Sequence, residues 1–182
     1  MLEVELKFRV ADHAPVRAIL LRVEATGGAE HAEADHYFNA PDRDFAVTGE
    51  ALRLRRIRDR NILTYKGPKL AGPIKTRPEV ELDVAPGDAG AETVSALLTG
   101  LGYRPVAVVR KTRETFTVAG PFPVSVCLDT VERVGTFVEV EVLADESQAA
   151  AAQAAVRAAA NELGLADAEP RSYLRMRLEV GA

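Results

Sequence analysis

The 182-residue chain carries a formal net charge of −4 at pH 7 and has a sequence pI near 5.5, which argues against a nucleic-acid binder held by general basic attraction. The length predicts one domain, over residues 1–182, with enough chain to bury a hydrophobic core. The single cysteine, Cys127, excludes an internal disulfide, and the absence of a leader-like or membrane-spanning apolar run predicts a soluble cytoplasmic protein.

The first predicted element is a strand at the start of the chain. Glu3, Glu5 and Lys7 alternate there with apolar residues over residues 2–8. Because successive side chains of a strand point to opposite faces, one face of this strand is wholly charged and the other wholly apolar. The apolar face must pack into a core. The charged face is energetically unfavourable unless its side chains bind a partner.

A helix is predicted after this strand, and two more helices follow later in the chain. Asp12 can cap the first, which is expected to run to the glycines at 27–28, where a left-handed stop is easy. The second begins near Asp88 and ends at Gly102, and the third is the alanine-rich stretch over 146–163. The low bulk of the third helix suits packing against a sheet or against a second subunit, so a homodimer is plausible.

Six later segments repeat the alternation of the first strand, at residues 51–58, 61–67, 76–85, 109–118, 124–129 and 138–142. In these segments most charged or polar side chains share one parity and most apolar side chains the other, although Arg56 and Arg58 do not follow the parity of Arg53 and Arg55. The sequence therefore predicts an α+β fold on a mostly antiparallel sheet with flanking helices. The breaker-rich connection at 67–75, which includes Pro73, is expected to be an exposed hairpin loop or a mobile basic lip over a site.

Two interpretations fit these strands. An open sheet with one solvated side is ordinary architecture. However, the charged rows concentrate Arg, Lys and Glu with few neutral members, which favours a sheet curled so that its charged face lies inside. An unpaired ion in such an interior costs several kcal/mol, by rough estimate, so acids, bases and a charged ligand must neutralise one another. A polyphosphate with divalent cations meets this need, because Arg and Lys hold phosphate oxygens and carboxylates hold Mg²⁺ or Mn²⁺.

An ordered series of short motifs resembles one known family. The opening Glu3-x-Glu5-x-Lys7 is followed by Asp35-x-Tyr37-Phe38, Leu52-Arg53-Leu54-Arg55, Leu63-Thr64-Tyr65-Lys66-Gly67-Pro68, Arg77-x-Glu79-x-Glu81, Lys111-x-Arg113, Leu128-Asp129 and Phe137-Val138-Glu139-Val140-Glu141. The series is similar to the CYTH superfamily, the triphosphate tunnel metalloenzymes. The resemblance covers nearly the whole chain and implies a closed or nearly closed antiparallel barrel whose interior binds a triphosphate and a divalent metal.

The resemblance also implies roles for individual residues. Those expected on phosphate oxygens are Lys7, Arg53, Arg55, Lys66, Arg77, Lys111 and Arg113. Those expected on Mg²⁺ or Mn²⁺ are Glu3, Glu5, Glu79, Glu81, Asp129, Glu139 and Glu141. The expected catalytic residues are Glu5, Lys111, Asp129 and Glu139. For each ion pair the alternative is a surface contact worth ~0–1 kcal/mol.

Within the superfamily, Lys111-x-Arg113 and the segment Glu169-Pro170-Arg171-Ser172-Tyr173 look most like class IV adenylate cyclases, which implies conversion of ATP to cyclic AMP and pyrophosphate. A thiamine triphosphatase or inorganic triphosphatase is the alternative within the superfamily. A non-catalytic binder of nucleotide or polyphosphate is the alternative outside enzymes, although so many carboxylates would serve a simple polyanion binder poorly unless metals occupied them.

Overall fold

The protein is an eight-stranded antiparallel barrel in a computed structural model that describes residues 1–72 and 74–181. Its strands are β1 (Leu2–Arg9), β2 (Thr26–Asn39), β3 (Ala51–Ile57), β4 (Arg60–Lys66), β5 (Lys75–Val84), β6 (Arg104–Val118), β7 (Val124–Val131) and β8 (Gly135–Ala144). Their order around the barrel is β1-β5-β4-β3-β2-β6-β7-β8, and β8 pairs with β1 to close it. The predicted α+β fold with a closed antiparallel barrel is confirmed.

In the described part of the chain, five α-helices flank the barrel: α1 (Ala14–Arg22), α2 (Phe45–Thr48), α3 (Gly87–Gly100), α4 (Ala149–Glu162) and α5 (Tyr173–Glu179), with a 3₁₀ turn at Glu146–Gln148 before α4. The alanine-rich α4 packs on β8 and β1, where Ala152, Val156 and Ala160 are buried. Its predicted sheet contact is therefore present, and the homodimer remains a prediction. No helix in the described part of the chain has the length and apolar character needed to cross a membrane.

The barrel is apolar outside and ionic inside, as the alternation of the strands predicts. Val4 on β1 and Val140 on β8 point outward into the core beneath α1 and α4, whereas Glu5 and Glu139 on the same strands point inward and are buried. The outer apolar face is not covered everywhere. Val80 and Leu82 on β5 are 62% and 60% exposed, although α3 contacts this strand.

The sequence prediction missed β2 and placed the end of α1 wrongly. The helix stops at Arg22 instead of reaching the glycines at 27–28, and Glu24 turns the chain with a φ of 55°. Thr26–Asn39 then pairs with both β3 and β6. Gly27 is required here because a Cβ at this position would lie 2.3 Å from the Thr115 carbonyl oxygen on β6. Close backbone approach between strands, and not a helix stop, explains this glycine.

Two shorter segments also differ from expectation. The tail after α4 contains α5, whose N-cap Ser172 accepts a hydrogen bond from the Arg175 backbone N–H. The connection between β4 and β5 is a hairpin loop, as expected, but its basic Lys75 belongs to β5 and lies half-buried in the interior. Pro73 lies outside the described residues.

Candidate active site in the barrel interior

The predicted site residues meet inside the barrel, with one exception. Arg53, Glu79 and Glu141 are half-buried, and Glu81 lies at the rim with 48% of its side chain exposed. The predicted site residues that are fully buried are Glu3, Glu5, Lys7, Arg55, Lys66, Arg77, Lys111, Arg113, Asp129 and Glu139. Glu81 receives a hydrogen bond from the Thr64 hydroxyl at 3.0 Å and is too far towards solvent to join the buried carboxylates.

The first cluster surrounds Glu3 on β1. Lys66 on β4 and Arg77 on β5 both donate to its carboxylate, Arg77 Nε at 3.0 Å. Lys66 also lies 2.6 Å from Glu79 and so bridges two acids. Burial by itself would raise the pKa of Glu3, but the charges of Lys66, Lys75 and Arg77 hold it well below its usual value. Glu3 is therefore ionised and accepts hydrogen bonds from two cationic side chains.

A second cluster is centred on Asp129 of β7, which is fully buried. Arg113 of β6 donates to both carboxylate oxygens, Nε at 2.6 Å, and also to Glu139 of β8. Lys111 Nζ lies 3.5 Å from Asp129, and the Tyr173 hydroxyl donates to it at 2.8 Å. With this many donors around it, Asp129 is better placed to orient Arg113 than to bind a metal ion.

Tyr173 of α5 links this cluster to β1. Lys7 Nζ lies 4.3 Å from the centre of the Tyr173 ring, and Lys111 Nζ lies 5.2 Å from it. Both distances are within the range of a cation–π interaction. Lys7 is also 3.8 Å from Glu139, yet burial, opposed by Glu139 and Glu5, lowers the pKa of Lys7. An anionic ligand would therefore find Lys7 buried and only loosely paired.

Glu3, Glu5 and Glu141 form the one acidic group suited to a metal ion that was found among the described residues. One carboxylate oxygen from each lies within 4.8 Å of the others. Burial, opposed by the charges of Arg113 and Lys66 and reinforced by those of Glu3 and Glu139, raises the pKa of Glu141 to about 7. The ion pairs of the described residues leave Glu141 without a cation of its own, so this acidic triad fits a hard divalent cation that prefers carboxylate oxygens.

The remaining predicted metal ligands lie outside the acidic triad. Asp129 and Glu139 are held by Arg113, Glu79 is held by Lys66, and Glu81 is at the rim. Their carboxylates are thus committed to cations of the chain or to solvent. Of the seven predicted metal ligands, only those of the acidic triad have oxygens grouped closely enough for one ion among the described residues. Glu3 and Glu5 of the triad also receive hydrogen bonds from Lys66, Arg77 and Lys75, and the other four acids position or flank basic side chains.

Sequence reasoning did not assign four charged or polar residues that the structure places here. They are Glu33 and Asp35 of β2, Lys75 of β5 and Tyr173 of α5. Glu33 and Asp35 are two residues apart, so on a strand they share one face. This two-residue spacing of acids was the available signal. Lys75, read as a loop residue, donates to Glu5 at 2.7 Å.

The raised pKa of Glu141 gives a prediction for stability without metal. Between about pH 4.5 and about pH 7 the folded state binds this proton more tightly than the unfolded chain, so the contribution of Glu141 to stability falls as pH rises through that window. In EDTA at pH 8, Glu141→Gln should therefore raise the free energy of unfolding by on the order of 2 kcal/mol, and at pH 4 the two proteins should agree.

Urea unfolding at both pH values checks this, with Glu132→Gln, an exposed acid in the β7–β8 turn, as the matched control. Added Mg²⁺ or Mn²⁺ at pH 8 should stabilise the wild type and the Glu132→Gln control but leave Glu141→Gln nearly unchanged. Equal stabilisation of all three proteins by metal would show that the acidic triad does not bind it.

The fold and the interior define a class: a closed antiparallel barrel whose buried cations suit an anionic ligand and whose acidic triad suits a divalent cation. Comparison with known proteins agrees. The CYTH domain family model matches residues 1–178, and the chain belongs to the CYTH family.

Two curated relatives carry adenylate cyclase names. Adenylate cyclase CyaB of Aeromonas hydrophila is 30% identical over 175 residues, which is 94% of this chain and 86% of that protein. A Methanocaldococcus jannaschii protein, MJ0240, is provisionally named an adenylate cyclase and is 34% identical over 141 residues, 78% of this chain and 77% of its own length.

Solved structures show the same fold. The PH1819 protein of Pyrococcus horikoshii superposes with a TM-score of 0.83 at 34% identity, covering 97% of this chain and 98% of that one. HpAC1 of Hippeastrum, provisionally called an adenylyl cyclase but with a dominant triphosphatase activity, has a TM-score of 0.61 at 16% identity and covers 93% of this chain and 92% of its own. The latter likeness shows the fold alone.

Proposed function

We propose that this protein is a class IV type adenylate cyclase that converts ATP to 3′,5′-cyclic AMP and pyrophosphate. The observation that carries the proposal is the enclosure, in one barrel, of a row of buried Lys and Arg side chains beside the acidic triad of Glu3, Glu5 and Glu141. The likeness to CyaB over 94% of the chain supports the choice of ATP as substrate.

In this proposal the basic side chains of the interior bind the triphosphate. Arginine offers a planar fork of donors that matches phosphate oxygens, and lysine offers a compact mobile charge. The set is Lys7, Arg53, Arg55, Lys66, Arg77, Lys111 and Arg113. Each charge now faces a carboxylate or lies near one, so the triphosphate would enter a site whose cations are already oriented.

The proposed reaction joins the ribose 3′-oxygen to the α-phosphorus, and the 3′-hydroxyl gives its proton to water. The bond from the α-phosphorus to the oxygen that bridges it to the β-phosphate breaks, and pyrophosphate leaves with the bonding pair. Lys111 and Arg113 would stabilise negative charge that builds on the phosphoryl oxygens. Asp129 and Glu139 would hold Arg113 in place. When bound at the acidic triad, Mg²⁺ or Mn²⁺ would supply charge neutralisation and Lewis acidity.

Hydrolysis of a triphosphate is the second candidate, and the dominant triphosphatase activity of HpAC1 on the same fold is the observation that favours it. The same cations would hold thiamine triphosphate or inorganic triphosphate, and water would attack the terminal phosphorus in place of the ribose hydroxyl. The two candidates share a binding site and differ in the nucleophile.

Incubation of the purified protein with ATP and Mn²⁺, followed by chromatography of the products, separates the candidates. Cyclic AMP with an equal amount of pyrophosphate is the expected result. Release of phosphate from thiamine triphosphate or inorganic triphosphate, without cyclic AMP from ATP, would replace the first candidate with the second. Tight binding of ATP without turnover of any of the three would leave a nucleotide-binding protein and overturn both.

A further inference from the structure

Two neighbouring carboxylates on β2 hold interior cations in different ways. Asp35 receives two hydrogen bonds from Arg55, from Nε at 2.6 Å and from Nη2 at 2.8 Å, and one from Arg53 Nη1 at 3.3 Å. Burial would raise the pKa of Asp35, but Arg53 and Arg55 hold it far below its usual value. A paired fork of this kind fixes both the position and the plane of the guanidinium.

Glu33 is buried like Asp35 but is held far less firmly. Its Oε2 lies 3.1 Å from Arg55 Nη2 and 3.2 Å from Lys111 Nζ, yet this buried oxygen makes no aligned hydrogen bond among the described residues. Burial would raise its pKa, and the charges of Lys111, Arg113 and Arg55 lower it to about 2. Glu33 is thus an ionised carboxylate placed between two cations by charge alone.

The other oxygen of Glu33 contacts a residue that is not one of these two cations. Oε1 lies 3.0 Å from His31 Nε2, and the side chain of His31, two residues earlier on the same strand, is 21% exposed. His31 therefore contacts Glu33 from the solvent side, whereas Arg55 and Lys111 contact it from the interior. A small rotation of the Glu33 side chain would leave it bonded to His31 while freeing the two cations.

We propose that Glu33 is a positioning residue that neutralises Lys111 and Arg55 in the empty tunnel and is displaced from them by a phosphate group of the substrate. This inference rests on the proposed binding of a triphosphate. Buried cations without a counter-ion are costly, so a temporary carboxylate keeps the empty site folded and oriented. Its negative charge then competes with the phosphate for the same two side chains, which weakens binding of the triphosphate.

Glu33→Gln tests the proposal because it keeps the shape and the His31 contact and removes only the charge. Titration calorimetry in EDTA with inorganic tripolyphosphate should show binding roughly tenfold tighter than to the wild type. Without ligand, the melting temperature of the variant should be lower, and saturating tripolyphosphate should raise it more than it raises that of the wild type. In turnover assays KM should fall while kcat does not rise, as expected for a change in ground-state binding.

Asp35→Asn is the matched control, since it makes the same change two residues away on the same face of β2. It should weaken tripolyphosphate binding, because Arg53 and Arg55 lose their anchor. If Glu33→Gln binds tripolyphosphate no more tightly than the wild type, or more weakly as Asp35→Asn does, Glu33 is a structural counter-ion and the inference is wrong. If the wild type binds neither tripolyphosphate nor ATP, the proposed function itself fails, and this inference fails with it.

Discussion

Lys111→Ala is expected to lower kcat/KM for triphosphate turnover by roughly 10²–10³-fold, the largest loss of activity predicted here. Its ammonium group is almost fully buried between Glu33 and Asp129 and above the ring of Tyr173. It is therefore placed to meet charge that develops on a phosphoryl group, where water cannot replace it. The barrel should remain folded, because Arg55 and Arg113 still neutralise the two acids.

Arg110→Ala is the matched control for this prediction. Arg110 is the preceding residue of β6 and, by the alternation of the strand, points outward and is exposed. The Arg110→Ala substitution removes a cation of the same strand without changing the interior, so kcat/KM should change by less than about threefold. Circular dichroism and the melting temperature should confirm that both variants are folded. Full activity in folded Lys111→Ala would show that the interior is not the catalytic site.

Asp129→Ala is expected to cause the largest loss of stability, about 3–5 kcal/mol in the free energy of unfolding. The carboxylate is wholly buried and receives both arms of Arg113 and the Tyr173 hydroxyl. Removing it leaves the Arg113 charge inside the barrel with Glu139 as its remaining acid, and it also removes the hydrogen bond from Tyr173 of α5 to β7. Urea unfolding followed by circular dichroism measures the effect.

The control is Asp83→Ala, which removes a pair of the same chemistry from the surface. Arg60 donates to both oxygens of Asp83, at 2.7 and 3.1 Å, but both side chains are 63% exposed. Solvent screens that pair, so the urea midpoint should hardly move. Equal effects of the two substitutions would mean that Arg113 reaches water, which would contradict a closed ionic interior.

The sequence predicted the faces of the strands better than their number. Glu3, Glu5 and Lys7 face inward because their parity is set by the backbone, and a local pattern suffices to show it. The strand β2 was missed because Ala, Glu and His, instead of β-branched residues, fill much of it, so its composition does not favour a strand. Pairing with β3 and β6 on both sides overrides that composition.

The candidate site was predicted as a list of charges but not as a set of contacts. The motifs placed Asp129 among the metal ligands, and the structure surrounds it with Arg113, Lys111 and Tyr173 instead. Tyr173 lies 44 residues along the chain from Asp129, in a helix that the sequence reading took for a tail. No local pattern reports a contact of this kind, because it depends on how α5 packs against the barrel.

By itself, then, the sequence determined which side chains share the ionic face, since a two-residue period is a property of the extended backbone and needs no neighbour. Only the tertiary structure decided which acid meets which base. Closure of β8 onto β1 brings Glu141 beside Glu5 across the strands, and the register of β2 against β6 brings Glu33 to Lys111. The register of paired strands depends on the closed barrel as a whole, so the grouping of Glu3, Glu5 and Glu141 apart from Asp129 and Glu139 appears only when the strands are assembled.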